Sequence, residues 1–258
     1  MLRRVVAALS AAPALVPALV LGLVLAPAAL AETVRGTSGA DRLVGTPRAD
    51  TISAWAGDDV VRAKDGDDVA LGGRGDDTLR GNTGDDVLAG GPGRDRLHGG
   101  RGTDRLAGRD GHDVLDGGAG ADSVRGGPGR DLVFGWGGTD VIFGGRAGDT
   151  LSGGSGDDRI HGGPGADAIT DFVPTSFDAP APDDQDLLVA GHGDDVVGVT
   201  DGRDRVFAGR GDDEIRADDD GVADLIDCGP GADLVVYFGA DPSDRLRGCE
   251  SVQVRPAG

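Results

Sequence analysis

Fifteen aspartates recur at every ninth residue, and carboxylates at so even a spacing are suited to holding a row of cations. They are Asp41, Asp50, Asp59, Asp68, Asp77, Asp86, Asp95, Asp104, Asp113, Asp122, Asp131, Asp140, Asp149, Asp158 and Asp167, the sixth residue of fifteen consecutive nine-residue units over residues 36–170. Two positions after each comes an aliphatic side chain, from Leu43 to Ile169, with Ala70 the smallest. Glycine holds the first position in 13 of the 15 units and the fourth in 13, so the chain turns tightly once per unit.

Such a unit implies an all-β fold. In Gly72-Gly73-Arg74-Gly75-Asp76-Asp77-Thr78-Leu79-Arg80 the first six residues form a turn and the last three a short strand. Side chains alternate along a strand, so Leu79 points inward while Thr78 and Arg80 face out. Two units close one coil of 18 residues, and units n and n+2 stack as parallel strands about 4.8 Å apart. The predicted architecture is a parallel β-roll, a β-helix solenoid. Asp77 then lies over Asp95 on one edge and Asp86 over Asp104 on the other, where they repel unless a cation intervenes. Carboxylate and carbonyl oxygens favour calcium, which takes 6–8 oxygens in flexible geometry, over magnesium with its strict octahedron. The thiolates or clustered imidazoles that zinc or copper prefer are missing.

Units such as Gly90-Gly91-Pro92-Gly93-Arg94-Asp95-Arg96-Leu97-His98 and Gly117-Gly118-Ala119-Gly120-Ala121-Asp122-Ser123-Val124-Arg125 resemble the hemolysin-type calcium-binding (RTX) nonapeptide, a known signature of calcium-binding parallel β-helices. The resemblance implies calcium between the turns of units n and n+2, held by the sixth-position Asp and glycine-turn carbonyls, in a chain that stays unfolded until it meets calcium. The expected metal ligands are Asp68, Asp77, Asp86, Asp95, Asp104, Asp113, Asp122, Asp131, Asp140, Asp149, Asp158 and Asp167, followed by Asp195, Asp204 and Asp213. Family toxins and proteases carry a catalytic or pore-forming region and no N-terminal signal. This chain is almost all repeat and resembles the stand-alone secreted repeat proteins instead.

Residues 1–31 read as a secretory signal peptide: Arg3 and Arg4, an apolar run over residues 5–26, then Ala29-Leu30-Ala31 as the cleavage signature. A retained membrane anchor is the alternative. Residues 32–71 form a degenerate N-terminal cap, because Arg48 replaces a fourth-position glycine and Ala54 and Ala63 replace first-position ones. The regular repeats span residues 72–170, and residues 171–180 fit no unit and are expected to loop out. A second repeat block follows over residues 181–236, where Asp186, Asp195, Asp204, Asp213, Asp224 and Asp233 keep the column but glycine is sparser. A C-terminal cap closes the chain over residues 237–258, with Asp244 again in the column. Cys228 and Cys249 fall on the same edge about one rung apart, so a disulfide is expected there in an exported chain.

Composition narrows the function. Of the 45 acidic residues only 3 are Glu, and the net charge is −20, or −22 without the signal arginines. A surface of that sign repels nucleic acid and anionic lipid and attracts cations. His98, His112, His161 and His192 occupy variable outward positions, with neither a zinc-protease signature nor a nucleophile elbow. Acid pairs such as Asp76-Asp77 and Asp212-Asp213 recur as turn ligands, not as a catalytic pair. Phe134 and Phe143 belong to successive units and hence to opposite faces, so Trp55, Trp136, Phe134 and Phe143 make no sugar-stacking ladder. Nor do Thr51, Thr78 and Thr150 stack into a flat array. The reading is a secreted, non-enzymatic calcium-binding module of structural or binding role, with calcium ions as its partners and no membrane span once the signal is cut. The alternatives are a polysaccharide-active enzyme or accessory using the 171–180 insert, and a calcium-stiffened adhesin or matrix component with a cell-surface or glycan partner.

Overall fold

The computed structural model describes residues 3–4, 31–171, 184–200, 202–218, 222–239 and 243–255. Successive strands alternate between two parallel sheets, of 13 and 12 strands among the described residues. Each strand pairs with the one two further on. Leu79 sits beside Val61 and Leu97 in the larger sheet, and Leu88 beside Ala70 and Leu106 in the smaller, so one coil takes 18 residues. The eighth-position aliphatics point inward from both sheets, and from Leu43 to Ile169 each is at most 2% exposed. They form one narrow core along the axis.

Most strands are twice the expected length. Thr78–Thr83, for example, runs six residues and buries Leu79 and Gly81 while exposing Arg80. Three-residue strands do occur, as at Val87–Ala89 and Arg105–Ala107. The extension arises because the glycine pair still bonds from coil to coil: the Gly73 N–H donates to Gly90 O at 2.8 Å. The second and fourth positions take positive φ, for example 114° at Gly73 and 120° at Gly75. Together they fold the chain back toward the opposite sheet.

The break after Thr170 does not interrupt the roll. Ile160 pairs with Leu188 and Ile169 with Val197 across it, so one coil is lengthened and stacking resumes in register. Asp171 does not loop out as expected. It is buried, and its carboxylate accepts the Thr200 N–H at 2.7 Å and hydroxyl at 3.0 Å. The rest of the insert, residues 172–183, lies outside the described residues, as does the apolar run at 5–30. Arg3–Arg4 form a two-residue strand beside Asp41 and Arg42. No helix among the described residues is long and apolar enough to cross a membrane. Cys228 and Cys249 are joined in a disulfide with their Cα atoms 5.2 Å apart, tying the last two coils.

Candidate metal centre

The aspartate column stacks as expected, and its carboxylates are buried. Every sixth-position Asp from Asp41 to Asp167 is at most 3% exposed. One oxygen is committed to the backbone. Asp77 Oδ1 accepts the Asp59 N–H at 2.9 Å, Asp95 Oδ1 the Asp77 N–H at 2.8 Å, and Asp122 Oδ1 the Asp104 N–H at 2.7 Å. This carboxylate-to-amide ladder climbs both edges of the roll and continues across the break, through Asp158 to Asp186 and Asp167 to Asp195. Neighbouring carboxylates in a column are thus held apart by an intervening N–H as well as by any cation.

The second oxygen is where the chemistry lies. In all fifteen aspartates expected to bind metal, Oδ2 is buried and has no hydrogen-bond partner. In eleven of them, from Asp77 to Asp167, it lies beside the first-position glycine of its own unit; Asp68, Asp195, Asp204 and Asp213 have Ala63, Ala190, Val199 and Ala208 at that position instead. A Cβ built on Gly99 would fall 2.5 Å from Gly117 O and still closer to Asp104 Oδ2; one on Gly135 would fall 2.5 Å from Gly153 O and closer to Asp140 Oδ2. A carboxylate oxygen and a carbonyl from the next coil therefore converge beside a Cα that must stay bare. A buried, unpaired anionic oxygen is costly, and a row of them facing carbonyls fits a hard divalent cation that prefers oxygen. Among the described residues no group of three or more His, Cys, Asp or Glu side chains converges as a metal cluster.

Burial sets the electrostatics. Desolvation pushes the Asp77, Asp113 and Asp122 carboxyls up to about 6 and those of Asp86, Asp95, Asp140 and Asp149 up to about 7, partly opposed by the donated backbone N–H. Asp158 reaches about 8, and Asp186 and Asp204 reach about 9, burial again leading and nearby carboxylates adding to it. Near neutrality the groups at about 8–9 hold protons, and those at about 6–7 do so only in part, unless a cation replaces them.

Three features went unread in the sequence. Asp59 and Asp233 leave Oδ2 buried and unpaired just as the expected ligands do. Asp41 and Asp50 instead satisfy Oδ2 within the chain, through the N–H and hydroxyl of Thr37 and Thr46. Two threonines at second positions were the available signal. At the other end, Glu250 takes the place of an aspartate and accepts the Asp233 N–H at 2.9 Å. The histidines also have local roles. His98 pairs with Asp116 at 3.1 Å, a hydrogen bond that raises its pKa, and His112 Nδ1 accepts the Arg130 N–H at 2.8 Å. His161 stacks on Phe143 with centroids 5.0 Å apart, and Arg125 lies over the same ring. Phe134 and Phe143 do lie on opposite sheets, yet Phe143 finds a ring partner one coil on, so the aromatic faces are not bare.

The family model for the RTX calcium-binding nonapeptide repeat matches residues 35–70, 63–97, 71–106, 98–133, 107–142, 116–151, 143–170 and 198–235, together well over half of the 258 residues. No curated protein matches the sequence. Among solved structures, a hyperactive, Ca2+-dependent, β-helical antifreeze protein from an Antarctic bacterium is similar, at 15% identity and a TM-score of 0.45, with 87% of this chain and 80% of that chain covered. The repeat column, its orphaned carboxylate oxygens and the match along the coil lead to one conclusion: the chain belongs to the RTX calcium-binding nonapeptide repeat family, whose repeats bind multiple Ca2+.

Proposed function

We propose that the protein is a secreted module that folds on binding calcium and then serves as a stiff structural or binding element, without catalysis of its own. The observation that carries this reading is the row of buried Oδ2 atoms with no partner in the chain. Asp68, Asp77, Asp86, Asp95, Asp104, Asp113, Asp122, Asp131, Asp140, Asp149, Asp158, Asp167, Asp195, Asp204 and Asp213 are the ligands in this reading, and Asp59 and Asp233 join them because their Oδ2 atoms are buried without a partner too. Bound calcium supplies the positive charge these oxygens lack. The chain's own part is to bury the carboxylates, fix Oδ1 on the neighbouring coil's N–H and, from Asp77 to Asp167, set Oδ2 beside a bare glycine Cα.

The energetics support coupling of binding to folding. Ordering the backbone costs roughly 1–2 kcal/mol per residue, and one aliphatic side chain per unit is a thin return on nine ordered residues. An ion that binds only the folded roll adds its binding energy to folding. Calcium dialysis together with circular dichroism tests the reading. We expect many ions per chain, and a cooperative gain of β signal with midpoints of about 10⁻⁴–10⁻³ M, the range of extracellular modules. Stoichiometric binding of only one or two ions would refute it. Export is tested separately, by sequencing the N-terminus of protein recovered from medium, where cleavage before Glu32 is expected.

A further inference from the structure

A groove runs along the smaller sheet over Trp55, Leu71 and Gly73. It has a volume of about 600 Å³ and is lined by Trp55, Leu71, Gly73, Arg74, Pro92 and Arg109, among others. Trp55 and Arg109 occupy the same position of their units, three strands apart, and so lie roughly 14 Å from each other along the roll. Between them the position is held by Gly73 and Gly91, which leave a trough with a bare backbone floor. Trp55 is 68% exposed and Leu71 40%. In a chain of net charge −20, the only charged side chains lining the trough are Arg74 and Arg109, neither of which has an ion-pair partner among the described residues.

Trp55 is also conformationally expensive. Its φ is 85°, in the region that Gly73 and Gly91 adopt freely at the equivalent positions of later coils. Lys64, Asn82, Arg109 and Trp136 take a similar φ at the same position, so the turn geometry recurs; what sets Trp55 apart is a large aromatic side chain left mostly in solvent beside the apolar Leu71 and Pro92. The floor cannot pair with an incoming peptide strand, because Gly73 and Gly91 already donate their N–H groups to Gly90 and Gly108 of the next coil. What the trough offers is a flat aromatic face, an apolar wall and two cations along a line.

We propose that this groove binds an oligosaccharide containing acidic sugars, with one pyranose ring stacked on Trp55 and carboxylates paired with Arg74 and Arg109. The inference rests on the calcium-folded reading, since Trp55, Gly73, Gly91 and Arg109 come from four different coils that only the stacked roll aligns. The test uses the full chain at saturating calcium, with circular dichroism read on every sample. Short glucuronate-containing oligosaccharides, their carboxyl-reduced neutral counterparts and a polyproline peptide are titrated by calorimetry against wild type, Trp55→Gly and Arg74→Gln/Arg109→Gln.

The acidic oligosaccharide should bind wild type, and Trp55→Gly should weaken it about tenfold or more, the scale of a lost central contact. Because glycine accepts φ 85° without strain, that variant should fold at the same or lower calcium. The double arginine variant should lose the preference for acidic over carboxyl-reduced sugars. Unchanged affinity in Trp55→Gly, equal affinity for acidic and neutral sugars in wild type, saturation by the polyproline peptide alone, or a higher calcium requirement in Trp55→Gly would each overturn the proposal. A calcium-folded chain that ignores acidic sugars contradicts the groove alone. A chain that folds without calcium and still binds them through Trp55 contradicts the folding reading alone.

Discussion

The regular block over residues 72–170 and the second block beyond residue 184 share one register but fill their interiors differently. In the regular block the first position of every unit is glycine, and the space beside it is taken by a carboxylate oxygen. In the second block that position holds Ala190, Val199, Ala208, Ala217, Cys228 and Tyr237, all at most 5% exposed and packed in the core. The first region thus leans on whatever neutralises its carboxylates. The second carries about twice the apolar lining per unit and a disulfide besides. Coils of one geometry can therefore differ in what holds them together, which is possible because each coil contacts mainly its neighbours.

Acid should separate the two sources of stability most completely. The buried carboxyls lie at about 6–9 in the folded chain against an ordinary value of 3.8. A carboxyl raised on folding stabilises the metal-free roll below its unfolded pKa and loses that contribution as pH rises through the folded value. The metal-free chain should therefore gain β signal on acidification to about pH 4–5 and lose it on return through about pH 6–7, the regular block melting first. By the same linkage calcium displaces protons, so its folding midpoint should fall as pH rises. Chelated protein whose circular dichroism is flat from pH 4 to 8 would break this account.

Substitution at first positions should come next. Gly99→Val puts a side chain where Asp104 Oδ2 and Gly117 O converge. Overpacking of this kind costs about 1–3 kcal/mol or more, and here it also blocks a metal site, so calcium should no longer fold the surrounding coils. Ala208→Gly, the reverse change in the second block, should cost only about 1 kcal/mol and leave calcium binding in place. Thermal melts at fixed calcium give the contrast, and equal effects would erase the distinction between the blocks.

Asp104→Asn keeps an oxygen for the Asp86 N–H, which lies 2.8 Å from Asp104 Oδ1, while removing the charge. It should raise the calcium midpoint severalfold. Asp41→Ala should leave that midpoint alone and cost about 1 kcal/mol, since Asp41 is satisfied by Thr37. Matching midpoints would argue against the column as the metal site. The smallest expected effect is that of reducing Cys228–Cys249. Chain entropy for a loop of 21 residues gives about 3 kcal/mol. That loss should stay in the last coils beyond about Ala217, as increased amide exchange there. Loss of protection along the whole roll on reduction would make the bridge a global staple.

Much of this was legible beforehand because the repeat is strict. The Asp column, the eighth-position aliphatics, the two alternating sheets and the cysteine pairing all follow from counting residues along an 18-residue coil. Side-chain direction was harder to read. The spacing places the column on two edges without a direction for its carboxylates; the structure buries them on the side of the aliphatic two residues on, as strand alternation implies. Asp171 was grouped with the insert because nothing in its neighbourhood marks Thr200 as its partner. The Phe143–His161 stack and the Trp55 trough depend on which variable positions share a sheet at one-coil spacing, a pattern that shows only once alternate units are compared.

Calcium-dependent hydrogen exchange, resolved along the chain, tests the central claim most directly. With calcium, amides of residues 72–170 should be protected as one cooperative stretch. In chelator at neutral pH the same amides should exchange at nearly unfolded rates, with any residual protection confined to the second block and its disulfide-tied end. Full protection of the regular block in chelator would mean that its carboxylates need no cation, and the account of a metal-folded roll would be wrong.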